Sequence, residues 1–439
     1  MYALGRAVRN RAYWRTLPQR LGILPASFKQ TGSGAIWLHA VSVGEVLTSI
    51  ELLARLRAEF PASPLFVSTT TLAGRAIADQ KLAALADGVF YAPADFAFAV
   101  RRALRTLRPA VVIVAETEIW PNLYREVKRS GAGLLLVNAR MSDRAAPSYT
   151  RRPWFFRHVL QWPDLILTQS DADRDRYLAA GAPPDRVRIG GNLKYDFQPS
   201  PLAPALDAFL DRLGAAQIWI AASTMPPDED DSVIDAFLRL KDRYPRLLLI
   251  LAPRKPERFD DAAGRLDRAG APYIRRSRLD AGASLALPGV LLLDSIGDLG
   301  ALFQRASAVF MGGSLVAWGG HNLLEPGIFG KPCLVGPYMQ NFREMAAAFR
   351  EAGALLEVST SAELADAVAR LFDDPKLAAR IGARARECTE ARRGATAAAV
   401  REVRRLFDLS VPRYVPSLPA LLALWPIERL WFLAGAVHR

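Results

Sequence analysis

SAVFMGGSLVAWGGHNLLEPGIFG, residues 307–330, holds one whole unit of the architecture. Residues 307–311 form an apolar run of strand length, glycines follow at once, and the remainder up to Gly330 is compatible with a helix. Strand, glycine turn and helix in that order form the unit of a doubly wound α/β sheet. Glycines let backbone N–H groups approach a ligand closely, and a helix start behind them favours an anion. Gly313 and Ser314 stand in that turn, while Asn322 and Glu325 add an amide and a carboxylate acceptor beside it. The combination suits a nucleotide whose phosphate and ribose are both held.

Outward from this stretch, short apolar runs alternate with helix-like segments along most of the chain. In the first half the expected strands are 35–40, 64–69, 110–115, 133–138, 164–169 and 186–190. In the second half they are 217–222, 246–252, 289–294, 307–311, 332–336 and 354–358. Continuous apolar strands imply burial on both faces, hence parallel sheets covered by helices. Residues 196–204, DFQPSPLAP, interrupt the pattern, because proline continues neither a helix nor a central strand. Two Rossmann-like domains follow, facing each other across a cleft. The expected division is a basic membrane-proximal arm at 1–30, a first Rossmann-like domain at 31–196, a linker at 197–214, a second, nucleotide-sugar-binding Rossmann-like domain at 215–408 and an apolar tail at 409–439. The helical stretch 361–406 has an expected break at Asp374-Pro375.

The chain has 439 residues, 51% hydrophobic and 23% charged, which excludes a disordered protein. Two cysteines far apart, four histidines and the absence of a clustered His/Asp pattern argue against a disulfide framework or a metal site. The net charge of +13 calls for an anionic partner. No acidic residue precedes Glu45, whereas Arg6, Arg9, Arg11, Arg15, Arg20 and Lys29 all do, interleaved with Tyr13 and Trp14. That start reads as a contact with an anionic membrane surface or as a solvated arm. Nucleic acid is not expected, since no basic stripe with stacking aromatics lies outside residues 6–29. The segment 418–433 is broken by Pro426 and Glu428-Arg429, which argues against a membrane span; with Trp425 and Trp431 it lies in an interface or packs on the core.

Several residues after the expected strands carry chemistry. Glu45, behind Ser42 and Gly44 at a helix start, reads as a capping carboxylate or as a general base, with a pKa lowered by the helix dipole. His39 reads as a core histidine. Glu116 and Glu118, directly after an apolar strand, need pairing or a substrate. Lys194 follows two glycines and can reach a phosphate or remain a surface lysine. Arg254 suits planar, bidentate phosphate contacts, and Ile296, Gly297 and Asp298 suit a base edge, although ordinary βα loops look alike.

Six motifs in order, HAVSVGE (39–45), ETEIWPN (116–122), NARMS (138–142), GNLKYD (191–196), PRKPERF (253–259) and GGHNLLEP (319–326), closely resemble the 3-deoxy-D-manno-octulosonic acid (Kdo) transferases of lipopolysaccharide synthesis in Gram-negative bacteria. The likeness runs from about residue 10 to 405. It implies a GT-B fold and a metal-independent, inverting transfer from CMP-Kdo, a substrate rather than a cofactor, to the glucosamine disaccharide of a lipid A precursor. It implies a place on the cytoplasmic face of the inner membrane, peripheral or monotopic. Glu45 matches the family's general base; Arg254, Ile296, Gly297, Asp298, Asn322 and Glu325 match positions that hold CMP, and Ser314 and Lys194 fit phosphate or donor-carboxylate contacts. Ser42, Gly44, Glu116 and Glu118 then line the acceptor side. Family members often begin with a hydrophobic anchor where this chain has its basic segment, which makes the Trp425/Trp431 segment a candidate replacement. Met225 stands where a histidine is expected, with Glu229 near its expected place. The alternative is another GT-B transferase, such as a UDP-sugar-dependent lipid A disaccharide synthase.

Overall fold

Seven parallel strands build each of two sheets in the computed structural model, which describes residues 11–32, 34–142, 145–197, 201–280 and 282–411. The first sheet comprises β1 (Ala35–His39), β2 (Leu65–Thr69), β3 (Gly88–Tyr91), β4 (Pro109–Ala115), β5 (Gly133–Ala139), β6 (Leu165–Thr168) and β7 (Val187–Ile189). The second comprises β8 (Gln217–Thr224), β9 (Leu247–Pro253), β10 (Tyr273–Arg275), β11 (Gly289–Leu292), β12 (Ala308–Met311), β13 (Cys333–Val335) and β14 (Leu355–Glu357). Their orders are β3-β2-β1-β4-β5-β6-β7 and β10-β11-β9-β8-β12-β13-β14. Chain direction across the sheet reverses between β1 and β4 in the first and between β8 and β12 in the second. Doubly wound sheets bind ligands beyond the strand ends at such a switch point.

The apolar runs predict these strands because both sheet faces are covered. Trp37, Val112, Val114, Leu134 and Leu136 point into one layer, and Ile36, Leu38, Val111, Ile113, Leu135 and Val137 into the opposite one. β3 and β10 are missing from the sequence reading. Both are short edge strands and only partly buried.

The domain boundaries move in three places. Residues up to Phe197, together with those from Arg393 on, form one compact unit, and residues from Gln198 to Arg392 form the other. The helix Ala395–Leu409, assigned by sequence to the second domain, buries Ala395, Ala399, Val403 and Leu406 against the first sheet. Burying its valine and leucine contributes roughly 1.5–3 kcal/mol each. Asp196 fixes the return of the chain by accepting the N–H of Gly394 at 2.6 Å and of Thr396 at 2.5 Å, which caps that helix. The expected linker contains the helix Pro204–Leu213, which is packed through Leu206, Phe209 and Leu210.

The described part of the expected arm, from residue 11 on, also belongs to the first unit, while Arg6 and Arg9 lie outside the described residues. Tyr13, Thr16 and Arg20 are buried, and Phe28 packs 5.2 Å from the Phe66 ring. Arg20 donates to Thr70 O at 2.6 Å and stacks over Tyr91, so its charge is engaged inside the protein rather than presented to a headgroup. Trp14, Leu21 and Ile23 do face outward. No helix among the described residues is long and apolar enough to cross a membrane. The tail beyond Val411, with Trp425 and Trp431, lies outside the described residues.

Candidate functional site

At the switch point of the first sheet, β1 leads into Glu45 and β4 into Glu116 and Glu118. Ser42 caps the helix Val43–Thr48 by accepting the Glu45 N–H. The Glu45 carboxylate folds back on the same turn: Oε2 accepts the Val41 N–H at 2.7 Å, and Oε1 accepts from Ser42 Oγ at 2.9 Å. Gly44 belongs to that turn, and its carbonyl accepts from Thr48 Oγ1 at 2.8 Å. Capping and site readings therefore describe the same side chain. Burial first, then the neighbouring charges of Glu118 and Glu116, push the Glu45 carboxyl up to about 7 against its hydrogen bonds. This reverses the lowering expected from the helix dipole, because a six-residue helix offers less stabilisation than desolvation removes.

Glu116 and Asn138 both adopt left-handed backbone, with φ of 57° and 54°. For a residue such as glutamate this costs about 1–2 kcal/mol and persists only where the surroundings enforce it. Here they do. Asn138 Oδ1 accepts the Leu193 N–H at 3.0 Å, its Nδ2 donates to Glu116 Oε1 at 3.4 Å, and Gln169 Nε2 donates to its carbonyl at 3.0 Å. Lys194 lies 3.7 Å from Glu116 Oε1 and offsets part of the acidic cluster. Glu118 is oriented by Trp120 Nε1, which donates to it at 2.5 Å. Beneath this, His39 is buried, meets the Trp120 ring edge-on at 4.7 Å and is held neutral, its pKa lowered by burial to about 3. The first unit thus brings together Ser42, Gly44, Glu45, Glu116, Glu118 and Lys194.

In the second sheet the switch point already contains an anion. Glu229, in the first turn of the helix Glu229–Leu240, is fully buried. Its Oε2 accepts the N–H groups of Met225 at 2.8 Å and Gly313 at 2.6 Å; its Oε1 accepts those of Ser314 at 3.1 Å and Leu315 at 2.9 Å. The Ser314 hydroxyl, also buried, donates to Met311 O and accepts the Gly336 N–H at 2.8 Å. Gly313 and Ser314 therefore do not offer their N–H groups to a ligand, contrary to the expectation from the glycine turn. That turn does demand an anion, and the chain supplies it. Burial raises the Glu229 pKa while the four N–H donors pull it back. Glutamine at this position would present an NH2 to two N–H donors. Glu229→Gln is expected to destabilise the protein by about 1–3 kcal/mol, measurable by denaturant unfolding.

The outward-facing groups of the second unit remain available. Arg254 follows β9, is exposed, and acts electrostatically on both His321 and Glu325. Asn322 Nδ2 donates to Glu325 Oε1 at 3.4 Å, and burial raises the Glu325 pKa, with Asn322 and Arg254 opposing. Burial, then Arg254, lowers the His321 pKa to about 4, so the ring is neutral at pH 7. Its Nε2 has no hydrogen-bond partner among the described residues. Ile296, Gly297 and Asp298 form the turn after β11, next to β9 in the sheet; Ile296 is 81% exposed, Gly297 has φ of 105°, and Asp298 is tied to Arg276 at 3.1 Å. Lys255 lies over the Trp318 ring at 5.3 Å. Asn138 and His321, inside the quoted motifs, join the sites without having been singled out by type or spacing. Gln169 had no signal in the sequence.

Residues 15–197 match the family described as 3-deoxy-D-manno-octulosonic-acid transferase, and residues 231–388 match glycosyl transferases group 1. The chain is 32% identical over 421 residues to the 3-deoxy-D-manno-octulosonic acid transferase of Haemophilus influenzae, covering 92% of this chain and 93% of that protein. It is 33% identical over 414 residues to the enzyme of the same name from Bordetella pertussis, covering 89% and 92%. In fold it is similar to a UDP-GlcNAc 2-epimerase from Neisseria meningitidis, with a TM-score of 0.54 at 13% identity over 85% of this chain and 99% of the other. Two parallel, doubly wound sheets and these matches give one conclusion: the chain belongs to the Kdo transferases, glycosyltransferases of the GT-B fold.

Proposed function

We propose that this enzyme transfers Kdo from CMP-Kdo to a hydroxyl of the glucosamine disaccharide in a lipid A precursor, with inversion and with Glu45 as the general base. The observation that carries this reading is a buried carboxyl with a pKa of about 7 at the switch point of the first sheet. A base is most useful when its proton affinity lies near the working pH. The acceptor hydroxyl gives its proton to Glu45, and its oxygen forms a bond to the anomeric carbon of Kdo. The bond from that carbon to the CMP phosphate oxygen breaks, and CMP leaves with the electron pair. One displacement on the face opposite the leaving group inverts the anomeric centre.

Ser42 and Gly44 shape the turn that holds Glu45, and Glu116 and Glu118 raise its proton affinity. Lys194 supplies a cation for the anionic donor beside those acids. In the second unit Arg254 braces the phosphate, Asn322 and Glu325 take the ribose, and Ile296, Gly297 and Asp298 take the cytosine edge. Arg254 provides positive charge for the leaving phosphate, and no metal ion is assigned a role. A disaccharide acceptor anchored in a bilayer implies work at the cytoplasmic face of the inner membrane. The outward Trp14, Leu21 and Ile23, together with a net charge of +13, support contact with an anionic surface. A ligand that binds only the folded state raises the melting temperature. CMP is therefore expected to raise it by several degrees and UDP much less; an equal or larger shift with UDP contradicts the donor assignment.

A further inference from the structure

Backbone N–H groups at the switch point of a doubly wound sheet are the part of the fold that draws phosphate. In the second unit the loops after β8 and β12 both contribute such groups, Met225 from one and Gly313, Ser314 and Leu315 from the other. All four converge on Glu229 at 2.6 to 3.1 Å. Each carboxylate oxygen accepts two N–H donors, so the geometry is that of the ionised form. The turn also packs closely on the end of β8: a Cβ on Gly312 would meet Ser223 O and Thr224 Cα at 2.7 Å. Glu229 itself is fully buried, as is the Ser314 hydroxyl with its own two partners. The mechanism proposed above uses none of these groups.

We propose that Glu229 is a specificity-determining residue that restricts the donor to a nucleotide with a single phosphate. The inference rests on the nucleotide-sugar reading of this unit. With the amide cradle filled by a carboxylate of the protein, a second phosphate finds no available N–H group there and meets a buried negative charge. Like charges opposed in a desolvated site are strongly disfavoured. Facing outward instead are the Arg254 guanidinium, the neutral His321 and the Asn322 amide, with the exposed Lys255 held over the Trp318 ring. A glycine turn which in sequence reads as a phosphate loop thus acts in this chain as a filter on phosphate number.

The test is calorimetric titration of the full chain with CMP and with CDP. Wild type is expected to prefer CMP by about tenfold or more. Glu229→Ala, checked for folding by circular dichroism, is expected to narrow that preference by about tenfold as the vacated cradle accepts the second phosphate. Adding formate, which fits the vacated amides, should restore the preference in Glu229→Ala and leave wild type unchanged. If the alanine variant does not fold, Glu229→Asp, which withdraws the carboxylate by one methylene, should shift the ratio in the same direction by less. CDP binding wild type as tightly as CMP, or a variant that folds and keeps the wild-type ratio, overturns the inference and leaves the CMP site standing. CMP failing to bind wild type at all defeats the nucleotide reading and the inference with it.

Discussion

Glu45→Gln is expected to lower the turnover of Kdo transfer by about 10²–10⁴-fold while leaving CMP affinity within about twofold. Glutamine keeps the shape and can still accept the Val41 N–H, but it cannot take a proton from the acceptor hydroxyl. The pH dependence adds an independent check. Because the carboxyl is raised to about 7, kcat/KM of wild type should fall about tenfold per pH unit below that value as the base becomes protonated. Stability should move the opposite way. A folded-state pKa above the unfolded value of about 4.5 means that stabilisation is complete below pH 4.5 and is lost as pH rises through 7. The difference between Glu45→Gln and wild type in unfolding free energy should therefore grow by on the order of 2–3 kcal/mol between pH 4.5 and pH 8. A flat difference across that range would show that Glu45 is an ordinary surface-like cap.

Glu325→Ala is expected to weaken CMP binding by about 10–100-fold, the loss of a hydrogen bond to a charged group in a partly desolvated site. Burial raises the Glu325 pKa and Asn322 supports it, so the carboxylate is held ready at a cost to the free protein. Removing it should not reduce stability, and a small gain is consistent with relief of that burial. Titration calorimetry with CMP and a thermal melt on the same preparation separate the two effects. Unchanged CMP affinity with a lowered melting temperature would assign Glu325 to structure alone.

Much of the fold was legible because central strands such as β4, β5 and β9 are continuous apolar runs, which follows from helices covering both sheet faces. β3 and β10, Gly88-Val89-Phe90-Tyr91 and Tyr273-Ile274-Arg275, are short edge strands that stay partly exposed, and their length gave too little pattern to single them out. The helix Ala395–Leu409 was readable as a helix, but amphipathic periodicity does not say which sheet will receive its apolar face. Residues 391–394, with Gly394 at φ of 110°, are where the chain leaves one unit for the other, and only packing reveals that.

The two sites divide along the same line. Glu116 and Glu118 were visible because carboxylates directly behind a buried strand are costly unless they are paired or face a substrate, and Glu45 because it stands in the first turn of a helix that follows a strand. The rise of the Glu45 pKa was not, since it depends on how completely the surrounding turn excludes water. The glycine turn was expected to hold a ligand's phosphate, but the anion it holds is Glu229, which lies 84 residues from Gly313 in sequence, and no local pattern says that a protein side chain will fill the cradle. Met225 is explained in the same way: its backbone N–H, not its side chain, serves that carboxylate.

Purified protein incubated with CMP-Kdo and the disaccharide lipid A precursor, with the product read by mass spectrometry, tests the central claim most directly. Wild type should add the mass of at least one Kdo residue to the acceptor, and Glu45→Gln, shown in the same preparation to bind CMP, should add none within the same time. Transfer by Glu45→Gln at the wild-type rate, or an acceptor left unmodified by folded wild type that binds CMP, would contradict it.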